Sequence, residues 1–259
     1  MVLYFSATGN TKLIAEKLAE RLGDESVNLL TRIKKKDFSS LHSDRPFVIC
    51  SPVYVSELPS FIADFLKRVS LTGCREVYGI LTNGGFSGIA GAQMKRIIKQ
   101  KGMEFKGYAE FKLPSNHITN KSHAEIDDAE ITRRIEASLN KAVDVAKEIK
   151  GGGCFKNRHI FLLEYLVTIP VAPVLCYFNQ GTEGFRVKES CISCGKCEKL
   201  CPMNVIALQG GKPVWNIKRC AHCMSCIQNC PVEAIEYKDI TEGRARYTVS
   251  KHVKRNDAK

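Results

Sequence analysis

Val2-Leu3-Tyr4-Phe5-Ser6-Ala7-Thr8-Gly9-Asn10-Thr11 follows the initial methionine: four apolar residues, then a turn of small and hydroxylated ones. An amphipathic segment comes next, Thr11–Leu22, with Ile14, Leu18 and Leu22 on one face and Gly23 as its stop. Buried strand, short polar turn and helix, in that order, is the unit of a parallel α/β sheet. The unit recurs. Further strands are expected at Ser26–Leu30, Phe47–Ser51, Val77–Leu81 and Phe105–Phe111. Further helices are expected at Pro59–Leu71, Gly88–Lys101 and Ala124–Lys150, the last ended by Gly151-Gly152-Gly153. Residues 1–150 read as a doubly wound domain on a five-stranded parallel sheet.

The first turn, Ser6-Ala7-Thr8-Gly9-Asn10-Thr11, has its own chemistry. Its hydroxyls and backbone N–H groups converge in front of a helix N-terminus, where the dipole favours an anion. Gly9 allows close backbone approach. No Walker lysine and no GxGxxG accompany it, so neither a nucleoside-triphosphate loop nor a dinucleotide loop fits. Neutral donors at this density suit a terminal phosphate monoester; the plain alternative is a turn capped by Ser, Thr and Asn. Two more loops follow strand ends: Ser51-Pro52-Val53-Tyr54-Val55-Ser56-Glu57-Leu58-Pro59 and Thr82-Asn83-Gly84-Gly85-Phe86-Ser87-Gly88.

Together these three loops resemble those of the flavodoxins. The resemblance implies strand order 2-1-3-4-5, with FMN across the carboxyl ends of the central strands. Its phosphate would sit on Ser6, Ala7, Thr8, Gly9, Asn10 and Thr11. Pro52, Val53 and Tyr54 would flank the isoalloxazine, Tyr54 packing beside or over it. Asn83, Gly84, Gly85 and Phe86 would lie at its pyrimidine edge. Many flavodoxins keep a glycine in the loop after the third strand, where a peptide flips toward the reduced ring. Here that stretch is Tyr54-Val55-Ser56-Glu57, which argues against strong stabilisation of half-reduced flavin. Asn116 and His117, after the fifth strand, either line the cleft or pack as loop.

Twelve cysteines occur in the chain. Cys50, Cys74, Cys154 and Cys176 are scattered; Cys50 falls within a strand and reads as core. The other eight form two runs of one pattern, offset by 29 residues: Cys191-x2-Cys194-x2-Cys197-x3-Cys201-Pro202 and Cys220-x2-Cys223-x2-Cys226-x3-Cys230-Pro231. Three cysteines at two-residue spacing wrap one corner of an iron–sulfur cubane, and helical chain carries the fourth away. In proteins with two such runs, the fourth cysteine of each serves the other cluster. One [4Fe–4S] cluster is therefore expected on Cys191, Cys194, Cys197 and Cys230, and a second on Cys220, Cys223, Cys226 and Cys201. Zinc sites use separated CxxC pairs, often with histidine, and fit poorly. His222 reads as an exposed residue near a cluster, not a ligand. About 55 residues here resemble the bacterial two-cluster ferredoxins, whose strands pair where Asn204–Leu208 and Val232–Glu236 fall.

Four regions result. Residues 1–150 form the flavodoxin-like FMN domain and 151–185 an apolar connector. Residues 186–240 form a small α+β two-cluster ferredoxin domain, and 241–259 a basic tail with a mobile end. The connector's core, Phe161–Phe178, holds Glu164, Pro170 and Pro173 and is a poor membrane span. With no basic or cleavable leader at the N-terminus and cysteines patterned for metal, a cytoplasmic location is expected. Formal charge is +12, without a nucleic-acid recognition motif. That charge reads either as plain solubility or as steering toward an acidic redox protein partner; Lys34-Lys35-Lys36 reads as a solvated turn.

As a whole the chain resembles a flavodoxin–ferredoxin fusion, a type associated with anaerobes. The resemblance implies electron transfer among FMN, two [4Fe–4S] clusters and an external partner. The alternative is an FMN-dependent reductase of a small acceptor (a quinone, nitro compound or free flavin) fed through the clusters. No loop for NAD(P)H is visible.

Overall fold

The computed structural model describes residues 1–119, 127–156 and 181–253. The central sheet has five parallel strands: β1 (Val2–Tyr4), β2 (Ser26–Asn28), β4 (Phe47–Pro52), β6 (Glu76–Asn83) and β7 (Glu104–Lys112). Their order is β2-β1-β4-β6-β7, the 2-1-3-4-5 of a flavodoxin-like fold. β3 (Leu41–Ser43) and β5 (Leu71–Gly73) form a separate parallel pair. Every residue of β1 and β4 is buried, as a strand covered on both faces requires. The pleat divides them between two cores. Leu3, Phe5 and Ile49 pack with α2 (Leu30–Lys35), α3 (Ser60–Arg68) and α4 (Ala90–Gln100). Val2, Tyr4, Val48 and Cys50 pack with α1 (Asn10–Leu22) and α5 (Asp128–Lys150).

The second strand is shorter than its apolar run because Asn28 Oδ1 accepts the Leu30 N–H at 3.0 Å. That side-chain bond turns the chain into α2. Pro59 caps α3 from outside, and Leu71 leaves the helix for β5. α5 starts at its cap Asp127, whose carboxylate accepts the Glu130 N–H; residues 124–126 of the expected helix lie outside the described residues. So do the connector's middle, residues 157–180, and the end of the tail, residues 254–259. Among the described residues no helix is long and apolar enough to cross a membrane.

In the cysteine region β8 (Phe185–Val187) pairs antiparallel with β11 (Ile235–Tyr237), and β9 (Ile206–Gln209) with β10 (Lys212–Trp215). A strand before one run thus pairs with the strand after the other. Short helices α6 (Lys196–Leu200) and α7 (Ser225–Gln228) contain the third cysteine of each run. The 29-residue repeat extends to the backbone. Positive φ occurs at Ser193 and His222, at Gly195 and Met224, and at Asn204 and Glu233, all pairs 29 apart. Left-handed residues among right-handed ones turn successive N–H groups into a concavity that suits anions and iron–sulfur sites.

The cluster domain is bonded to the sheet domain. Ser225 Oγ and Asn229 Nδ2 both donate to the Ala7 carbonyl, at 3.1 and 2.9 Å. Gln228 Nε2 donates to Asn116 O at 2.9 Å. Lys34 Nζ donates to Glu198 O and Cys201 O at 2.8 and 2.9 Å, capping α6, and Asn204 Nδ2 returns a bond to Lys34 O at 2.8 Å. Lys34 is therefore an interdomain clamp on the end of α2, not part of a solvated turn.

Residues 241–253 fold back over both domains. Arg246 is 5% exposed and pairs at 2.7 Å with Glu236, itself 1% exposed. Lys188 meets the other Glu236 oxygen at 2.7 Å, and Thr241 also donates to this carboxylate. Burial raises the affinity of Glu236 for a proton, but the bonds from Lys188, Thr241 and Arg246 outweigh it and the net shift is downward. Breaking such a pair by deleting one partner costs about 3–5 kcal/mol. Arg246→Ala is accordingly expected to lower the Tm of the intact protein by about 10 °C. A depressed folded-state value means this carboxylate stabilises the fold above its ordinary range, and the contribution is lost as pH falls through it. Thermal melts of the natural protein should thus drop below about pH 4, and Glu236→Gln should flatten that part of the profile.

The loop after β4 holds a strained turn. Tyr54 and Glu57 bond each other reciprocally at 3.0 Å around a two-residue turn. The turn requires φ of +49° at Val55 and +64° at Ser56. A β-branched residue there costs about 1–2 kcal/mol, offset on replacement by the backbone entropy of glycine, about 0.5–1 kcal/mol. Val55→Gly should raise Tm by about 2 °C; a fall would show that the turn is not strained.

Candidate flavin and cluster sites

The loop between β1 and α1 has its carbonyls engaged behind it. Ala7 O accepts from Ser225 and Asn229, Thr8 O from the Val249 N–H at 2.9 Å, and Gly9 O from Leu13 N at 2.9 Å. The N–H groups that open α1 have no partner within the helix itself, and that of Gly9 donates to Ser6 Oγ at 3.1 Å. Gly9 makes this possible, at φ +99°, and a Cβ there would come within 3.0 Å of Val249 Cβ. The side chains contribute less than the sequence implies. Asn10 Nδ2 donates to Pro114 O at 2.8 Å while its Oδ1 accepts from Tyr247 Oη at 2.7 Å. Thr11 is buried, with its hydroxyl 2.8 Å from that of Thr82. Thr8 Oγ1 accepts from Asn116 Nδ2 at 3.2 Å. Ser6 Oγ and Thr8 Oγ1 only accept in these bonds, from Gly9 N and Asn116 Nδ2, so each keeps a hydroxyl proton to donate.

In front of this loop lies a cavity of about 640 Å³, within the range of cofactor sites. It is lined by Ser6, Ala7, Thr8, Asn10, Thr11, Pro52, Val53, Tyr54, Asn83 and Gly84. Gly9 forms the loop without lining it. Gly85 and Phe86 lie apart from it, the Phe86 ring half exposed. Asn116 and His117 do line it, with Val55, Thr82, Pro114, Ser115 and Thr119. The cluster domain closes the remaining side with Ala221, His222, Tyr237, Lys238 and Ile240. Sequence reasoning missed these five because their neighbours in space are 100 to 230 positions away in the chain. No acidic side chain lines the cavity among the described residues, and Lys238 brings a positive charge. Backbone donors, a facing cation and this volume fit a flavin mononucleotide.

Two smaller cavities sit in the cluster domain. One is bordered by Cys191, Cys194, Cys197 and Cys230, the other by Cys201, Cys220, Cys223 and Cys226. Each gathers three cysteines of one run and the last of the other. The fourth cysteine emerges at or just beyond the end of a short helix, Cys201 after α6 and Cys230 after α7. Backbone N–H groups already bond two sulfurs, His222 N to Cys220 at 3.3 Å and Ala234 N to Cys230 at 3.2 Å. The two cavities differ in depth. Cys194 is exposed, whereas Cys201 is buried. Burial pushes the Cys220 and Cys223 thiols up to about 12 and raises Cys226 and Cys197 as well. Thiols so placed ionise only when a cation supplies the charge, as iron does.

His222 is buried, not exposed. Its ring meets Phe185 and Tyr237 edge-on at 5.5 and 5.0 Å, and Nε2 donates to Gly181 O at 3.0 Å. Burial lowers its proton affinity, so the ring is a neutral wall. That wall is shared. Ala221 and His222 line both the large cavity and the one bordered by Cys201, Cys220, Cys223 and Cys226. Tyr54 lies beside it, burial holding its hydroxyl protonated, with Cys223 near enough to add to the effect. Of the isolated cysteines, Cys50 is core, as its strand position implies.

Residues 1–102 match the family model described as a flavodoxin domain, and residues 190–235 match a 4Fe-4S dicluster domain. A ferredoxin of Methanothermococcus thermolithotrophicus is 40% identical over 47 residues, 18% of this chain and 78% of the relative. The ferredoxin-type protein NapF of Haemophilus influenzae is 38% identical over 56 residues; this chain spans 32% of its length and 20% of its own. The solution structure of two-electron reduced Megasphaera elsdenii flavodoxin aligns at 18% identity and a TM-score of 0.33, over 54% of this chain and 99% of that one. The chain belongs to the 4Fe-4S ferredoxin family and joins that domain to a flavodoxin domain: it is a flavodoxin–ferredoxin fusion.

Proposed function

We propose that this iron–sulfur flavoprotein is an internal electron relay, with FMN in the large cavity and one [4Fe–4S] cluster in each cysteine-lined cavity. FMN accepts electrons in pairs and gives them up singly, and each cubane carries one at a time. Ser6, Ala7, Thr8, Gly9, Asn10 and Thr11 would hold the phosphate. Pro52, Val53, Tyr54, Asn83 and Gly84 would hold the ring.

The observation that carries this reading is the wall of Ala221 and His222 between the flavin cavity and the cavity of Cys201, Cys220, Cys223 and Cys226. One cluster would then adjoin the flavin without intervening solvent, so that transfer needs no collision. The other cavity faces outward. Cys194 is exposed there, flanked by Ile192 and Val232, which are 58% and 36% exposed. An external redox protein would exchange electrons at that end, and an acidic one would be favoured by the chain's positive charge. Roofing of the flavin cavity by the cluster domain supports a relay over reduction of a free organic acceptor.

The test is cluster content. Anaerobically reconstituted protein should hold about eight irons and eight sulfides per chain. Cys230→Ser should disturb the cluster on Cys191, Cys194 and Cys197 while leaving the other spectroscopically intact. Loss of the second cluster with survival of the first would overturn the crossed assignment.

A further inference from the structure

Three consecutive residues of the loop between β1 and α1 are met by the C-terminal strap. The Val249 N–H donates to Thr8 O at 2.9 Å. The Val249 side chain lies so close to Gly9 that a Cβ there would come within 3.0 Å of it. Tyr247 Oη donates to Asn10 Oδ1 at 2.7 Å, across 237 positions of sequence. This last bond completes the Asn10 amide. Pro114 O can only accept, so Nδ2 must face it, at 2.8 Å, and Oδ1 is left for the tyrosine. The strap is itself held. Tyr247 N donates to Gln228 Oε1 at 2.8 Å, Lys251 Nζ donates to Arg246 O at 2.9 Å, and Arg246 pairs with the buried Glu236. Thr8 and Asn10 line the large cavity, whereas the buried Tyr247 and Val249 do not. The strap therefore grips the loop without touching what the cavity would hold.

We infer that Tyr247 and Val249 preorganise this loop for a phosphate, and so set how strongly the cavity prefers FMN over riboflavin, the same ring without the phosphate. A loop with glycine at its centre has many conformations to lose on binding. Holding it beforehand in the bound shape removes that cost from the affinity. Tyr247 and Val249 are positioning residues, acting through Thr8, Gly9 and Asn10. The far side of the cavity is ordered separately: Tyr54 exchanges backbone bonds with Glu57, and Asn83 Nδ2 donates to Glu110 at 3.1 Å. Loosening the strap should thus be felt by the phosphate and not by the ring. The inference rests on the FMN reading proposed above and adds to it the source of the loop's order.

Tyr247→Phe keeps the ring, which stacks on His252 at 5.4 Å, and deletes the donor. Flavin-free, cluster-loaded protein is titrated with FMN and with riboflavin, following the quenching of flavin fluorescence. The Kd for FMN should rise about tenfold, the scale of one buried hydrogen bond left half made, while that for riboflavin moves by less than about twofold. Iron and sulfide contents should stay as they were. Unchanged FMN affinity, or an equal loss for both flavins, would overturn the inference, the second by showing that the strap supports the cavity as a whole. Should Tyr247→Phe fail to fold, hydrogen exchange on the natural protein decides the matter. Linkage requires that a phosphate gripping the loop also steady the strap, so FMN should slow exchange of the Val249 amide about tenfold more than riboflavin does. Equal protection by the two flavins would overturn the inference. Natural protein that binds neither flavin would defeat the FMN reading itself; natural protein that binds FMN, beside a Tyr247→Phe variant that discriminates just as well, would remove only this step.

Discussion

The carbonyl of Ala7 is where the two halves of the chain depend on each other. It belongs to the loop that opens α1, and it accepts from Ser225 and Asn229 at the helix carrying Cys226. Those bonds hold the cluster domain against the sheet domain. They also engage a carbonyl of the loop proposed to hold the phosphate. Thr8 O does the same with Val249 from the C-terminal strap. The loop proposed to hold the phosphate and the docking contact are therefore one arrangement of backbone. A change that loosens the docking would also disorganise the loop between β1 and α1, since the same peptide units serve both.

The duplicated segment supplies the second constraint. Each run bends through left-handed residues at equivalent positions, and each places its last cysteine beyond a short helix, toward the partner run. Neither half can complete a four-cysteine cavity alone. Burial raises the proton affinities of Cys220, Cys223 and Cys226, in the cavity that shares Ala221 and His222 with the large one. Depth and order coincide: the buried cysteine cavity adjoins the large cavity across Ala221 and His222, and the exposed one meets solvent at Ile192 and Val232. One sealed end and one open end are what the proposed relay would need.

Much of this was legible from local pattern. Strand–turn–helix periodicity marked all five central strands and the loops that follow them, because a parallel strand buried on both faces has to be an apolar run. The cysteine spacing is a chemical signal that depends on few neighbours. What local pattern missed was set by contacts distant in sequence. Lys34 looked like one of three solvated lysines, yet the carbonyls of Glu198 and Cys201 claim it. His222 and the strap residues Arg246 and Tyr247 are polar enough to read as surface, but each is buried against a partner that only the fold brings near. Phe86 differs in the other direction: an aromatic in a loop expected to hold ligand, it is half exposed and does not line the cavity. The short α2 was masked by an apolar run, and one Asn28 bond decided it.

Diffraction from anaerobically grown crystals, collected on both sides of the iron absorption edge, tests the central claim most directly. The account predicts two compact groups of anomalous density, one within Cys201, Cys220, Cys223 and Cys226 and one within Cys191, Cys194, Cys197 and Cys230. It also predicts flavin density on the far side of the Ala221–His222 wall from the first group. Flavin bound elsewhere, or single metal ions in place of the two groups, would contradict it.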